Sequence, residues 1–320
     1  MKKIFMCALA VVALASCQKS DVVEVAQGSA IAFDSFVNKT TKVTEADDMS
    51  KANLKAFSVF GWRNNGTTAE LIFNKQEVTA NNGVCTYSPL QYWAAGYNYQ
   101  FEAVAPVVGG NLTVAAAEAG STLTFTSDSK TDLIWARPSV ISYPKATETA
   151  PAPVPAPVQL TFDHLLSRVM FQVHNYFPAE AAAKITVTDL KIVGAVSQAT
   201  LTPAAADRAW APVDGQVADV LFETSKLVNI PAGKGVAATE HQYMIPADLT
   251  RVTFKVKLDQ AGVVNEYNHT IELSGENVDP NAFLAINRSL RINIVLKHEN
   301  IDPENALYHI VFTAEVEAWN

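Results

Sequence analysis

The chain has 320 residues and a formal net charge of −8 at pH 7. Hydrophobic residues make up 49% of it and charged residues 18%, a composition that supports buried cores and excludes a disordered chain. An acidic protein without a basic block is a poor ligand for nucleic acid, so we expect no nucleic-acid partner. The length is typical of about two domains of ordinary size.

The start of the chain predicts export followed by attachment to a membrane. Two lysines precede an apolar run, residues 4–15, which has the features of a signal peptide and is shorter than the ~20 residues of a membrane-spanning helix. The run ends in Leu14-Ala15-Ser16-Cys17, which resembles the bacterial lipobox. This resemblance implies that residues 1–16 are removed and that Cys17 is acylated, so that residues 17–29 form a lipidated tether. An ordinary signal peptide with a chance cysteine is the alternative.

Residues 30–162 carry the signals of short β-strands. A first strand is predicted over residues 30–36, and a polar loop follows it. Asn-Gly pairs at 65–66 and 82–83 predict hairpin turns. The proline-rich loop, residues 149–158, is expected to run as an extended surface connector, because proline lacks the N–H donor that a central strand or helix needs.

Residues 163–320 show the same pattern. Residues 252–258 and 290–296 alternate between apolar and polar side chains, and so does the end of the chain, 308–319. No stretch of helical periodicity is longer than about two turns. Short strands spaced by about 8–12 residues are typical of antiparallel β-sandwiches, so the sequence predicts an all-β fold.

The sequence contains none of the motifs that usually carry catalysis or metal binding. Its six histidines are scattered, and no zinc-binding, phosphate-binding or nucleophile-elbow motif is present. Asp163, His164 and Ser167 are the three residue types of a catalytic triad. Residues so close in sequence rarely converge in space as a triad, and a polar turn is the preferred interpretation. The other two cysteines are Cys17 and one in the signal peptide, so Cys85 has no cysteine partner for a disulfide. We therefore expect no enzyme activity, no cofactor and no metal site.

Several short motifs follow one another along nearly the whole chain. They are the lipobox ending at Cys17, the first strand with its Thr41-Lys42 loop, Tyr92-Trp93-Ala94-Ala95-Gly96 leading into residues 99–106, Asp132-Leu133-Ile134-Trp135-Ala136, residues 160–169, and a last strand ending at Trp319. Each motif is ordinary for a β-protein, but their order and spacing resemble the fimbrillin family, the lipoprotein precursors of type V pilins. The resemblance implies two transthyretin-like antiparallel β-sandwich domains, here residues 30–162 and 163–320.

The resemblance also implies a mode of assembly. The precursor would be exported to the outer membrane of a Gram-negative cell as a lipoprotein, where a trypsin-like protease cuts the loop after the first strand. The strand then leaves, and the open groove accepts a strand of another pilin subunit, identical or accessory. Such a head-to-tail contact does not close on itself and builds a fibre, here a fimbrium for cell adhesion.

The predicted processing loop departs from the family pattern. Family members usually carry an arginine there, whereas this chain has no arginine before Arg63. Lys42 stands at the expected position, and Lys39 is the second choice. Either a protease that accepts lysine cuts the loop, or the chain stays uncut and lipidated, as an anchor subunit would.

Two strands would exchange in this assembly. The removable first strand would plug the groove with three side chains, those of Ile31, Phe33 and Phe36. The last strand would donate four side chains, in a register that the resemblance does not fix: Ile310, Phe312, Ala314 and Val316. One alternative is that both strands are integral parts of a monomer. Another is that a monomeric surface lipoprotein binds glycans on exposed tryptophans, here Trp62, Trp93, Trp135, Trp210 and Trp319.

Overall fold

A computed structural model describes residues 25–37, 54–81, 84–150, 152–249, 251–273, 284–305, 310 and 312–318. The regular structure in these ranges is β-strand, apart from a 3-10 turn over Ala179–Ala181. The predicted all-β class is therefore confirmed. Among these residues no helix is long and apolar enough to cross a membrane.

The strands of the first half of the chain are mostly short. In chain order they are β1 Val25–Ala30, β2 Phe33–Val37, β3 Ala56–Asn64, β4 Ala69–Asn81, β5 Val84–Thr86, β6 Tyr92–Ala94, β7 Tyr97–Ala105, β8 Leu112–Ala115, β9 Thr122–Thr126, β10 Ile134–Ala136, β11 Ile141–Tyr143 and β12 Val158–His164. The predicted turn at Asn65 and Gly66 joins β3 to β4. Oδ1 of Asn65 accepts a hydrogen bond of 3.0 Å from the N–H of Thr67, and Gly66 adopts a φ of 91°, which glycine tolerates without strain.

The strands of the second half are longer in its two central sheets. In chain order they are β13 Ser167–Asn175, β14 Lys184–Val196, β15 Gln198–Leu201, β16 Ala211–Pro212, β17 Val217–Leu221, β18 Ile230–Pro231, β19 Gly235–Ala238, β20 Gln242–Met244, β21 Arg251–Gln260, β22 Val263–Glu272, β23 Arg288–Leu296 and β24 Phe312–Ala318. The predicted alternating stretches at 252–258 and 290–296 are β21 and β23. In β21 the buried side chains are those of Val252, Phe254, Val256 and Leu258, as a period of two requires.

The largest sheet of the first half closes on itself. Its strands follow one another in the order β10-β12-β2-β5-β4-β3-β7, and β7 pairs back with β10. β11 extends the sheet from β7. The core packed against this sheet is rich in aromatic side chains: Phe33, Phe57, Phe73, Trp93, Tyr99, Phe101 and Phe162. Gly61 in β3 allows the close packing, since a Cβ there would lie 2.8 Å from the ring of Phe73 and 2.9 Å from that of Phe101.

The second half contains a sandwich of two sheets. One has the order β19-β13-β23-β24, with β20 also paired to β13, and the other has the order β17-β14-β21-β22, with β18 also paired to β14. The core between them is mainly aliphatic and takes alternate residues from the central strands, including Val169, Phe171, Val173, Ile185, Val187, Val252, Phe254, Leu290, Ile292 and Ile294. β24 lies at the edge of the first sheet, and among the described strands it pairs with β23 alone.

A four-stranded sheet joins the two halves of the chain. Its order is β16-β15-β9-β8, so β9 of the first half pairs with β15 of the second. A third hydrophobic core lies here, and the indole N–H of Trp210 donates to the carbonyl of Leu165 over 2.9 Å. The predicted domain division between residues 162 and 163 falls inside β12, and the shared sheet ties the halves together across it.

Two features differ from the expected antiparallel sandwiches and tether. β2 pairs with β12, and β13 with β23, in parallel, whereas the other pairings of the described strands are antiparallel. Parallel neighbours need a long connection instead of a hairpin, and such pairs leave no local turn signal in the sequence. Residues 25–29, predicted as part of the tether, belong to β1, which pairs with β6. The folded part of the chain therefore begins earlier than the sequence predicts.

Candidate functional site

β2 fills the gap between two other strands of the closed sheet. On one side its five residues pair in parallel with the first five residues of β12, 158–162. On the other side Asp34 pairs in antiparallel fashion with Val84 of β5. The pairing is therefore extensive towards β12 and slight towards β5. Without β2 the sheet would have two facing open edges, and an open strand edge is the usual acceptor of an added strand.

Ile31, just before β2, is tied by its backbone to the segment after β5. Its N–H donates to the carbonyl of Gln91 over 2.8 Å, and its carbonyl accepts from the Tyr87 hydroxyl over 2.6 Å. Burial raises the pKa of the Tyr87 phenol further above neutrality than its usual value of 10.0. The Ile31 side chain is fully buried. Main-chain and side-chain contacts both hold this segment in place.

Phe33 is the largest side chain that β2 is shown to place in the core. Its ring centre lies 5.5 Å from that of Phe73, 5.7 Å from that of Tyr87 and 5.8 Å from that of Phe101. Edge-to-face and tilted aromatic pairs of this kind contribute about 0.5–1.5 kcal/mol each beyond the area they bury. The structure thus puts the predicted residues Ile31 and Phe33 on the core side of the first strand.

Ser35 is the third residue of this segment on the core side, with 1% exposure. Its hydroxyl lies 3.5 Å from the thiol of Cys85 on β5, so the wall at this point faces a small side chain. The sequence predicts Phe36 as the third plug residue because it is large and apolar, but side chains on one face of a strand recur every two residues, and 31, 33 and 35 form that set. The Phe36 side chain lies outside the described part of the structure, and its backbone pairs with Thr161.

The predicted donor strand, β24, is integrated in its own sheet. Its residues 312–316 pair with residues 290–294 of β23, while the side chains of Phe312, Ala314 and Val316 lie outside the described part of the structure. Ile310 is partly buried. Arg291 of β23 lies 2.8 Å from Glu315, and an exposed ion pair of this kind contributes less than about 1 kcal/mol. Among the described strands β24 therefore pairs on one side, whereas β2 pairs on both.

Three predicted modification positions lie outside the described residues: Cys17, Lys39 and Lys42. Their order along the chain is nevertheless informative. Cys17 precedes β1 and β2, whereas both lysines follow β2 and precede β3. A cut after either lysine would therefore separate β2, together with Cys17, from the rest of the chain.

Asp163, His164 and Ser167, which have the residue types of a catalytic triad, do not form one. Nδ1 of His164 lies 2.8 Å from a carboxylate oxygen of Asp132 and not beside Asp163. Asp163 instead lies 3.6 Å from Arg208, and the hydroxyl of Ser167 donates to a main-chain carbonyl over 2.6 Å. Within the described ranges no group of three potential metal ligands occurs.

The tryptophans that the structure describes do not form an exposed platform. Four of the five are buried, Trp62, Trp93, Trp135 and Trp210, and Trp319 lies outside the described residues. Trp135 is also covered by the guanidinium of Arg208, 5.0 Å from the ring centre. A sugar ring stacks on an open aromatic face, so these four residues give the glycan-binding alternative no support.

Solved structures from Bacteroides share this fold. A candidate cell adhesion protein from Bacteroides ovatus has a TM-score of 0.56 and 11% sequence identity, and the match covers 91% of this chain and 98% of that one. Similar proteins from Bacteroides uniformis and Bacteroides eggerthii both give a TM-score of 0.51, at 15% and 13% identity, with 91% of this chain covered and 99% and 97% of theirs. At these identities the likeness defines the fold class, and it carries no information on activity.

The family assignment is more specific than the fold. A family model described as fimbrillin-like matches residues 41–319, which is most of the chain. The chain therefore belongs to the fimbrillin-like family, as its motifs suggest. No curated protein matches it. The matched range begins after β2, so the first strand and everything before it lie outside the matched part.

Proposed function

We propose that the protein is a fimbrial structural subunit, exported as an outer-membrane lipoprotein precursor and assembled by protease-triggered strand exchange for cell adhesion. Membership of the fimbrillin-like family supports a fimbrial role, and candidate cell adhesion proteins share the fold. The observation that carries the proposal is the place of β2, which closes a sheet and is followed in sequence by Lys39 and Lys42, the predicted cleavage positions.

The groove under β2 has the properties of a strand acceptor. Without the strand, the rings of Phe73, Tyr87 and Phe101 would lose a neighbour, and β12 would present unpaired main-chain groups over five residues. Burying Ile31 and Phe33 contributes about 1.5–3 kcal/mol for each side chain before the entropy of ordering the strand. An empty groove is therefore unfavourable in water, and any strand that supplies apolar side chains and main-chain hydrogen bonds stabilises it.

Cleavage at Lys42 or Lys39 would make β2 replaceable. While β2 is part of the chain, its effective concentration at the groove is very high, and a strand from another subunit competes poorly. A cut turns β2 into a separate peptide that diffuses away after it dissociates. Because Cys17 lies on the same peptide, the cut would also release the subunit from its lipid, whereas an uncut chain would keep the lipid and act as an anchor.

The last strand is the proposed donor. β24 is an edge strand with one described neighbour, and in the groove it would have a neighbour on each side. The exchange would give up seven residue pairs with β23 and gain five with β12 and one with β5, so it would nearly conserve the main-chain pairing of the strand. A contact in which the end of one subunit fills the start of the next is heterologous and extends without limit, which is the geometry of a fibre.

Limited digestion of the purified mature protein with trypsin tests the proposal. We expect a first cut after Lys42 or Lys39, loss of the peptide that carries β2, and a ladder of oligomers, detected by intact mass and size-exclusion chromatography. Lys51 and Lys55 also lie between β2 and β3, so Lys39→Gln and Lys42→Gln are combined with Lys51→Gln and Lys55→Gln. This variant should stay uncut between β2 and β3 and remain monomeric. Lys145→Gln is the matched control, because Lys145 is exposed and distant in sequence from the loop, and it should behave as the parent. A chain that loses β2 but stays monomeric would contradict self-assembly by strand exchange.

A further inference from the structure

β2 and β24, each taken with the two residues before it, have matching sequences. Residues 31–37 read Ile-Ala-Phe-Asp-Ser-Phe-Val, and residues 310–316 read Ile-Val-Phe-Thr-Ala-Glu-Val. Isoleucine, phenylalanine and valine occupy the same positions in both segments, with an offset of 310 − 31 = 279 residues. The position midway between phenylalanine and valine holds a small residue in both segments, Ser35 in one and Ala314 in the other. The identical positions are those of one strand face, whereas the positions between them differ.

The structure shows the surroundings of the side chains at positions 31, 33 and 35, and these surroundings set the size of side chain that each position accepts. The Ile31 side chain is fully buried, and Phe33 sits among three aromatic rings. Ser35 faces the thiol of Cys85 at 3.5 Å, which favours a small side chain. A strand that reads isoleucine, phenylalanine and then a small residue on one face therefore fits all three positions without a change of size at the first two.

We infer that the strand which fills this groove comes from a second copy of the same chain, in one register, with Ile310 in the place of Ile31, Phe312 in the place of Phe33 and Ala314 in the place of Ser35. The inference rests on the proposed strand exchange and adds the partner and the register. The incoming strand then runs parallel to β12, as β2 does. Ala314 beside Cys85 buries no hydroxyl, so the replacement brings no new polar group into this wall.

Other registers fit the groove worse. A shift of one residue turns the apolar face outwards. A shift of two residues in one direction puts Ala314 where Phe33 lies and leaves a cavity among the aromatic rings. A shift of two in the other direction puts Phe312 beside Cys85, where the structure holds a serine, and overpacks the wall. Only the offset of 279 matches size at every buried position of the first strand.

Cys85 is a natural reporter for this register. The full chain with Cys7→Ser and Cys17→Ser keeps Cys85 as the sole native thiol, and Ala314→Cys adds one to the donor strand. After trypsin cleavage and mild oxidation, we expect disulfide-linked ladders through Cys85 and position 314, identified by non-reducing electrophoresis and mass spectrometry. Thr313→Cys, on the other strand face, is the matched control and should give no ladder. Ser35→Cys in the uncut chain should bond to Cys85 within one subunit.

The outcomes separate the register from strand exchange itself. Oligomers that cross-link through Val316→Cys or Phe312→Cys, and not through Ala314→Cys, would overturn the register and leave strand exchange standing. Cleaved chains that form no oligomers would overturn the proposed function and the inference with it. Cross-links from Ala314→Cys alone support both.

A graft within the uncut chain tests the fit without any assembly. Replacing residues 31–37 by the sequence of 310–316 needs four substitutions: Ala32→Val, Asp34→Thr, Ser35→Ala and Phe36→Glu. We expect this graft to unfold within about 3 °C of the parent. The control graft of residues 312–318 into the same place keeps the strand phase but puts alanine at position 33, and it should lower the unfolding temperature by roughly 6–20 °C. Equal losses for the two grafts would overturn the register.

Discussion

The two halves of the molecule handle their terminal strands in different ways. The first half inserts β2 between two neighbours of a closed sheet, so that this strand completes the structure. The second half adds β24 to the edge of an open sheet, so that this strand extends the structure. The first half therefore holds this strand from both sides, whereas the second half holds its last strand through one described neighbour. In the proposed assembly this difference would give the chain one acceptor and one donor.

The hydrophobic cores of the two halves also differ in composition. The core of the closed sheet is built on aromatic rings, with Phe33 of β2 touching three of them. The core of the sandwich is mainly aliphatic, and its central strands supply most of the described buried residues. Loss of one ring from a packed aromatic cluster removes both buried area and edge-to-face contacts. The core of the first half should therefore depend strongly on β2.

The largest expected effect is at Phe33. We expect Phe33→Ala in the uncut chain to lower the free energy of unfolding by about 3–5 kcal/mol, because it leaves a cavity among Phe73, Tyr87 and Phe101. Chemical denaturation measures this loss. Phe33→Leu, which keeps most of the volume, should lose clearly less. A loss below about 1 kcal/mol for the alanine variant would mean that β2 does not complete the core.

A smaller effect is expected at His269 of β22, in the second half. Its ring stacks on Phe254 at 5.0 Å, and Nε2 is buried without a hydrogen-bond partner in the described structure. Burial lowers the pKa of His269 below its usual value of 6.5, although a hydrogen bond with the Ile301 backbone and the charge of Asp302 act in the opposite direction. Ile301 and Asp302 belong to the segment that leads from β23 towards β24.

The sign of the pH effect at His269 follows from proton binding. Below pH 6.5 the unfolded chain takes up a proton that the folded chain resists until its own lower pKa is reached. Stability should therefore be full above pH 6.5 and fall as the pH drops through this window. Urea midpoints at pH 8, 7, 6 and 5 measure it, and His269→Gln should give a flatter profile. An identical slope for the parent and the variant would rule out this histidine as the source.

Much of the fold was predictable from local patterns. The alternation at 252–258 and 290–296 marks β21 and β23, and the asparagine-glycine pair at 65–66 marks the turn between β3 and β4. Such signals lie within a few residues of one another. β1 was missed because Ala26-Gln27-Gly28-Ser29 has no apolar alternation, and it forms as a strand by pairing with the distant β6.

The closure of the sheet and the details of the site were not predictable in the same way. The parallel pairing of β2 with β12 joins residues that lie far apart in sequence, and no local turn motif in the sequence indicates it. Size alone favours Phe36 as a plug residue, whereas the phase of the strand selects Ser35, a choice that depends on which face meets Cys85. The Tyr87 hydroxyl that holds the Ile31 carbonyl has no sequence signature either.

Amide hydrogen exchange at residues 158–162 of β12 tests most directly whether β2 is a replaceable strand of a closed sheet. In the uncut chain the amides of Val158, Leu160 and Phe162 should exchange slowly, because the Val158 N–H donates to the Ala32 carbonyl and the N–H groups on that side of the strand recur every two residues. After cleavage and removal of β2 at low protein concentration they should exchange fast, and in the assembled oligomers they should become slow again. Exchange that stays slow when β2 has been removed, or stays fast in the oligomers, would contradict the account.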